Sequence, residues 1–158
     1  MELEVTGVAK QYKRGRVKAL DSVSLTFTPG IYGLLGPNGA GKSTLLNILT
    51  GSLQADAGQV RWNGTEIAKI PLDYRKILGY APQHQGLYEE FTANRFLWYL
   101  AALKGIPKKE AAKEIQEVLQ VVGLSDQQKR RVGTFSGGMK QRILIAQALL
   151  GNPELLIL

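Results

Sequence analysis

The stretch Gly36-Pro37-Asn38-Gly39-Ala40-Gly41-Lys42-Ser43-Thr44 constrains this chain more than any other. It fits G-x-x-x-x-G-K-[ST], a loop built to hold phosphate. A phosphate chain is a dense anion, and enclosing it takes many fixed donors. Gly36, Gly39 and Gly41 let the backbone wrap with its N–H groups turned inward, because no Cβ intervenes. The apolar run Ile31-Tyr32-Gly33-Leu34-Leu35 before the loop predicts a short buried strand. Leu45, Leu46, Ile48 and Leu49 after it predict a buried helix over 43–50, stopped by Gly51. A loop that feeds a helix start aims unpaired amides and the positive end of the helix dipole at the anion. In that setting Lys42 reaches the β- and γ-phosphates of a nucleoside triphosphate, Ser43 offers its hydroxyl to Mg²⁺, and Thr44 is placed to touch the α-phosphate.

Composition bounds the rest. With 158 residues and 44% of them apolar, the chain is long enough to bury a core. It has no cysteine, which rules out a disulfide frame and fits a reducing compartment. The start, Met1-Glu2-Leu3-Glu4, lacks the basic region and long apolar run of a signal peptide. No run approaches the ~18 apolar residues of a membrane span, so a soluble chain is expected. The net charge is +7, but the Lys and Arg are scattered, with clusters only between Lys10 and Lys18 and at Lys129-Arg130-Arg131. No direct nucleic-acid partner is expected from that distribution.

Taken in order, residues 2–8 alternate and predict a strand, 10–16 a polar loop, and 18–28 a second strand with Val23, Leu25 and Phe27 on one face. Residues 58–62 predict a strand closed by the hairpin signal Asn63-Gly64. A turn or two of helix is expected over 71–76 and a buried strand over 77–81. From there the texture becomes helical. Residues 92–104 read as a helix that is apolar all round and ends at Gly105. Residues 108–122 read as an amphipathic helix with Ala111, Ile115, Val118 and Val122 on one face, closed by Gly123. Residues 136–150 read as a third helix with Ser136 as its N-cap. Leu155-Leu156-Ile157-Leu158 starts a buried strand. The expected fold is α/β: a P-loop core with N-terminal antiparallel strands and an α-helical subdomain. Its parts are a phosphate-binding α/β core over 1–83, a helical subdomain over 84–150, and a last strand beginning at 151–158.

Three further features resemble one family. Thr134-Phe135-Ser136-Gly137-Gly138-Met139-Lys140-Gln141-Arg142 looks like the signature motif of ATP-binding cassette (ABC) ATPases, usually written LSGGQ, with Phe135 and Met139 in place of the Leu and the Gln. Gln83, at the end of the 77–81 strand, resembles the family's Q-loop. Tyr12 stands where the family places an aromatic that stacks on adenine. The resemblance covers the whole chain, and the Ser-Gly-Gly-Met-Lys-Gln-Arg wording is similar to multidrug and antibiotic exporters. Alone, Ser136-Gly137-Gly138 reads as a helix cap after a loop. With the family, it implies a second anion-binding helix start that caps the nucleotide held by another subunit. The resemblance thus implies ATP and Mg²⁺ as ligands, with Ser43 and Gln83 at the metal and Lys42 and Gln83 in catalysis. It also implies a head-to-tail homodimer or a pair with a related ABC subunit. Transmembrane permease subunits would hold it at the inner face of the cell membrane. Tyr88, Phe91, Phe96, Trp98 and Tyr99 are candidates for the permease contact, although for most of them the helical block's own core is the favoured reading. His84, the one histidine, reads as an ordinary loop residue.

Leu155-Leu156-Ile157-Leu158 is similar to the strand that, in the family, leads to an Asp for Mg²⁺ and a Glu that polarises the attacking water. Neither lies within these 158 residues. The expectation is a truncated version of a longer ATPase that binds Mg-ATP and turns it over poorly, the later strands of its core sheet being absent. Two alternatives remain at this point: a soluble ABC ATPase acting on the ribosome or nucleic acid, and a non-catalytic nucleotide-binding fragment.

Overall fold

A computed structural model describes residues 1–12, 17–82 and 86–158. The chain divides into two compact units, Met1–Tyr74 and Arg75–Leu158.

In the first unit, β1 (Leu3–Tyr12) pairs antiparallel with β2 (Val17–Phe27) on one side and β3 (Ala57–Trp62) on the other. The short β4 (Thr65–Glu66) completes a four-stranded sheet of order β2-β1-β3-β4. The Asn63-Gly64 signal holds: both residues have positive φ (47° and 80°), the twist a two-residue hairpin turn requires. β1 runs further than its alternation predicts, since Lys10, Gln11 and Tyr12 belong to the strand rather than to a loop. Helix α1 (Lys42–Leu49) buries Leu45, Ile48 and Leu49, packs against β2, and stops at Gly51 (φ 69°). Its far end is anchored by Tyr74, whose buried hydroxyl donates to the Leu49 carbonyl at 2.7 Å. Burial pushes that phenol well above its ordinary pKa.

The expectation for residues 31–35 fails. Ile31 is wholly exposed and Leu35 is 93% exposed, and neither belongs to a strand. An apolar run becomes a buried strand only beside partner strands. Among the described residues, the first sheet ends at β2 and β4, and no strand pairs with 31–35. Tyr32 is held locally instead, edge-on to Phe27 at 5.1 Å and with its hydroxyl 3.2 Å from Thr28 Oγ1. Leu25, which shares a face of β2 with Val23 and Phe27, is exposed as well.

In the second unit, the end of α2 (Pro71–Ile77) leads into β5 (Leu78–Tyr80), which pairs parallel with β6 (Leu155–Ile157). Gly79 is required there, because a Cβ would collide with the Ala148 carbonyl. Helices α3 (Ala93–Leu103), α4 (Lys108–Val121) and α5 (Gly137–Leu149) pack together around Phe96, Leu97, Ile115, Leu119, Ile143 and Leu150. Each helix sits within a residue or two of its predicted span. α5 also packs on β5 and β6. Among the described residues, no helix is long and apolar enough to cross a membrane.

Candidate functional site

The geometry of the phosphate loop begins with Gly41. It caps α1 in a left-handed conformation (φ 83°), and a Cβ there would strike the Ala19 carbonyl of β2. Any other residue would be strained twice over, by φ and by space. Gly39 also has positive φ (85°) and faces open space. No side chain caps α1, and no acidic residue lies in its first turn. Its first amides and the positive end of its dipole are therefore left for an external anion. Residues 36–40 are exposed, as is Ser43, so its hydroxyl is open to a ligand.

Lys42 lies across this loop. Its ammonium donates to the Gly36 carbonyl and the Pro37 carbonyl, at 2.7 Å each. An ammonium has three donors, so two are spent on the loop and one remains for a phosphate. The residues thus fit a phosphate chain: an open cradle, an uncapped helix start and a cation bent over it. Tyr12, thirty-two positions from Thr44, comes to it in space, with its hydroxyl 3.5 Å from Thr44 Oγ1. The aromatic ring is thereby brought to the first turn of α1. Gln83 and His84 lie outside the described residues.

Ser136, Gly137 and Gly138 open α5 in the second unit. Ser136 is the N-cap: its hydroxyl accepts from the Met139 N–H at 3.3 Å. No atom lies within contact of a Cβ built on Gly137 or Gly138, so the helix start faces free space. The two departures from the usual wording are both apolar anchors. Phe135 is buried with the Arg130 guanidinium 5.9 Å from its ring, and Met139 packs against the helical core.

Sequence reasoning gave no role to the polar residues behind this helix start. Lys140 pairs with Glu89 at 2.7 Å, tying α5 to the segment before α3. Arg142 donates to the Val122 and Gly123 carbonyls, closing the end of α4. The signal was present in Gly123, whose helix-stopping position leaves carbonyls that need a donor. The segment before the motif is laced to the start of α3 by Ala93 N–H to the Arg130 carbonyl (3.1 Å) and Val132 N–H to the Phe91 carbonyl (2.9 Å).

The aromatic candidates divide. Phe96 is wholly buried and Trp98 is partly buried against the same core, so both serve the helical block. Tyr88 and Tyr99 are exposed, and with Phe91 they form a surface cluster of ring contacts between 5.2 and 6.0 Å. Arg95 lies over the Phe91 ring at 4.3 Å.

Comparison with known proteins adds the following. The chain is 40% identical over 157 residues to the ABC transporter ATP-binding protein YxlF of Bacillus subtilis, covering 99% of this chain and 51% of that protein. It is 41% identical over 157 residues to the bacitracin transport ATP-binding protein BcrA of Bacillus licheniformis, covering 99% and 50%. The chain thus spans about half the length of these relatives. A solved structure of the ATP-binding subunit of an ABC transporter superposes with a TM-score of 0.81 at 29% identity, covering 99% of this chain and 65% of that one. The profile of the ABC transporter family matches residues 20–158. That span takes in both helix starts, and this chain belongs to the ABC transporter family.

Proposed function

We propose that this chain is the ATP-binding part of an ABC transporter subunit, with the phosphates of ATP held in the 36–44 loop. The observation that carries the reading is the start of α1. Gly41 turns the chain against β2, no side chain caps the helix, and Lys42 keeps one donor for the β- and γ-phosphates. Tyr12 would stack on the base and Thr44 would meet the α-phosphate, which their 3.5 Å approach supports. Bound Mg²⁺ would neutralise charge between the outer phosphates, and Ser43 and Gln83 are the residues proposed to hold it. Lys42 and Gln83 are the proposed catalytic pair within this chain.

Ser136, Gly137 and Gly138 would close the site from a second subunit, a copy of this chain or a related one, placed head-to-tail. The open space at both glycines supports that role. In this reading residues 1–83 form the nucleotide-binding core, 84–150 the signature subdomain and 151–158 the start of a further core strand. The transporter is an exporter in this proposal, consistent with the similarity to an antibiotic-transport protein. The chain would sit at the inner face of the membrane through a permease, with Tyr88, Phe91 and Tyr99 as the contact. Hydrolysis also needs a base for the attacking water, worth about 10²–10⁴-fold in rate, and slow turnover of bound Mg-ATP by these 158 residues is part of the proposal.

Titration of the 158-residue chain with a fluorescent ATP analogue and Mg²⁺ tests the proposal. Saturable binding displaced by ATP is expected, and absence of binding would overturn it. Steady phosphate release that disappears in Lys42→Ala would refute the slow-turnover part alone.

A further inference from the structure

Tyr12 sits at the last residue of β1, where the sheet is least complete. The β1–β3 ladder ends at the pair Ala9↔Ala57, because β3 begins at Ala57. On the other side the register against β2 shifts between Lys10 and Gln11, leaving the pairs Gln11↔Lys18 and Tyr12↔Val17. A strand end with one irregular neighbour frays readily. Here a single residue, Asp56, takes the place of the absent strand. Its N–H donates to the Ala9 carbonyl at 2.9 Å, one carboxylate oxygen accepts from the Gln11 N–H at 2.8 Å, and the other accepts from Lys10 Nζ at 2.6 Å. Three consecutive residues of β1 are therefore bound to one residue about 45 positions away.

We propose that Asp56 is a positioning residue for base recognition: it holds the end of β1 so that the Tyr12 ring stands at the first turn of α1, where the base of a bound nucleotide would lie. The inference rests on the nucleotide reading of Tyr12 given above. Asp56 acts on Tyr12 through Gln11 and Lys10. Both bonds hold its carboxyl below the usual carboxylate range, the Lys10 bond first. A stapling role for the sheet alone would alter stability. A positioning role alters how much the base contributes to affinity, and the two are separable because inorganic tripolyphosphate carries the phosphates without the base.

The test measures dissociation constants of ATP and of inorganic tripolyphosphate, each with Mg²⁺, for the 158-residue chain and four variants. Base stacking accounts for a sizeable factor in affinity, and a displaced ring should lose part of it. Asp56→Ala is expected to weaken ATP about 3- to 10-fold while tripolyphosphate stays within about 2-fold. Asp56→Asn, which keeps an oxygen for the Gln11 N–H, is expected to recover part of the loss. It also serves where Asp56→Ala fails to fold, by comparison with Lys10→Met, which keeps Asp56 and its bond to Gln11. Equal weakening of both ligands, or of neither, in a folded Asp56 variant overturns the inference if Tyr12→Ala still weakens ATP selectively. If Tyr12→Ala leaves the ratio of the two constants unchanged, the base-platform reading fails first and this inference falls with it.

Discussion

The two helix starts of this chain solve the same electrostatic problem in opposite ways. α1 opens after a glycine-rich loop and α5 begins with two glycines, and neither has an acidic residue in its first turn. At α1 the cap is a left-handed glycine with no side-chain bond, wedged against β2, and the loop's own lysine covers the open end. At α5 the cap is a serine that satisfies one amide itself, and a Cβ on either glycine after it would point into open space. The first start is sterically fixed and chemically unfinished. The second has one amide capped by its own serine and is sterically free. A site that must grip an anion continuously needs the former. A surface that meets an anion only when another molecule presents it can be the latter.

That contrast predicts unequal responses to small substitutions. Gly41→Ala should have the largest effect, about 2–5 kcal/mol of stability from left-handed strain and collision with the Ala19 carbonyl. Denaturant unfolding measures it, and a fall below 1 kcal/mol would break the claim that α1 is sterically fixed. Lys42→Ala should leave stability nearly unchanged and lower ATP affinity roughly 10- to 100-fold, since hydrogen bonds to charged groups contribute ~1.5–3 kcal/mol. Calorimetric titration decides this, and unaltered affinity would sink the role of the lysine. Ser136→Ala should lower stability by about 1 kcal/mol through the lost cap, read as a small drop in Tm. Gly137→Ala should change stability least, within ~0.5 kcal/mol, because the position is open and alanine favours helix. If α5 closes a site on another subunit, the same variant should still reduce ATP-dependent dimerisation in analytical ultracentrifugation. Dimerisation indistinguishable from wild type would remove the distinction between the two starts.

Much of this was legible in the residues alone. Asn63-Gly64 dictates its turn because few residues accept two successive positive φ values. Ser136 dictates its cap because a short oxygen-bearing side chain reaches the third amide. The face of α4 follows from the spacing of Ala111, Ile115 and Val118. Tyr12 and Thr44 were both named from sequence, but their approach was not foreseen. Nor was Lys42 turned back on Gly36 and Pro37, because periodicity says nothing about where a long cation rests in the absence of its ligand.

Local sequence sets where helices begin and end, which turns are possible and which residue types can face phosphate. These depend on dihedral preferences and hydrogen bonds spanning a few positions, so they are settled before the chain folds back on itself. Long-range packing settles the rest: that Asp56 finishes the end of β1, that Glu89 holds Lys140, and that Phe96 is core while Tyr99 is surface. It also decides that the apolar run 31–35 stays uncovered. Hydrophobicity states a demand for burial, and only the strands that lie beside a segment can meet it.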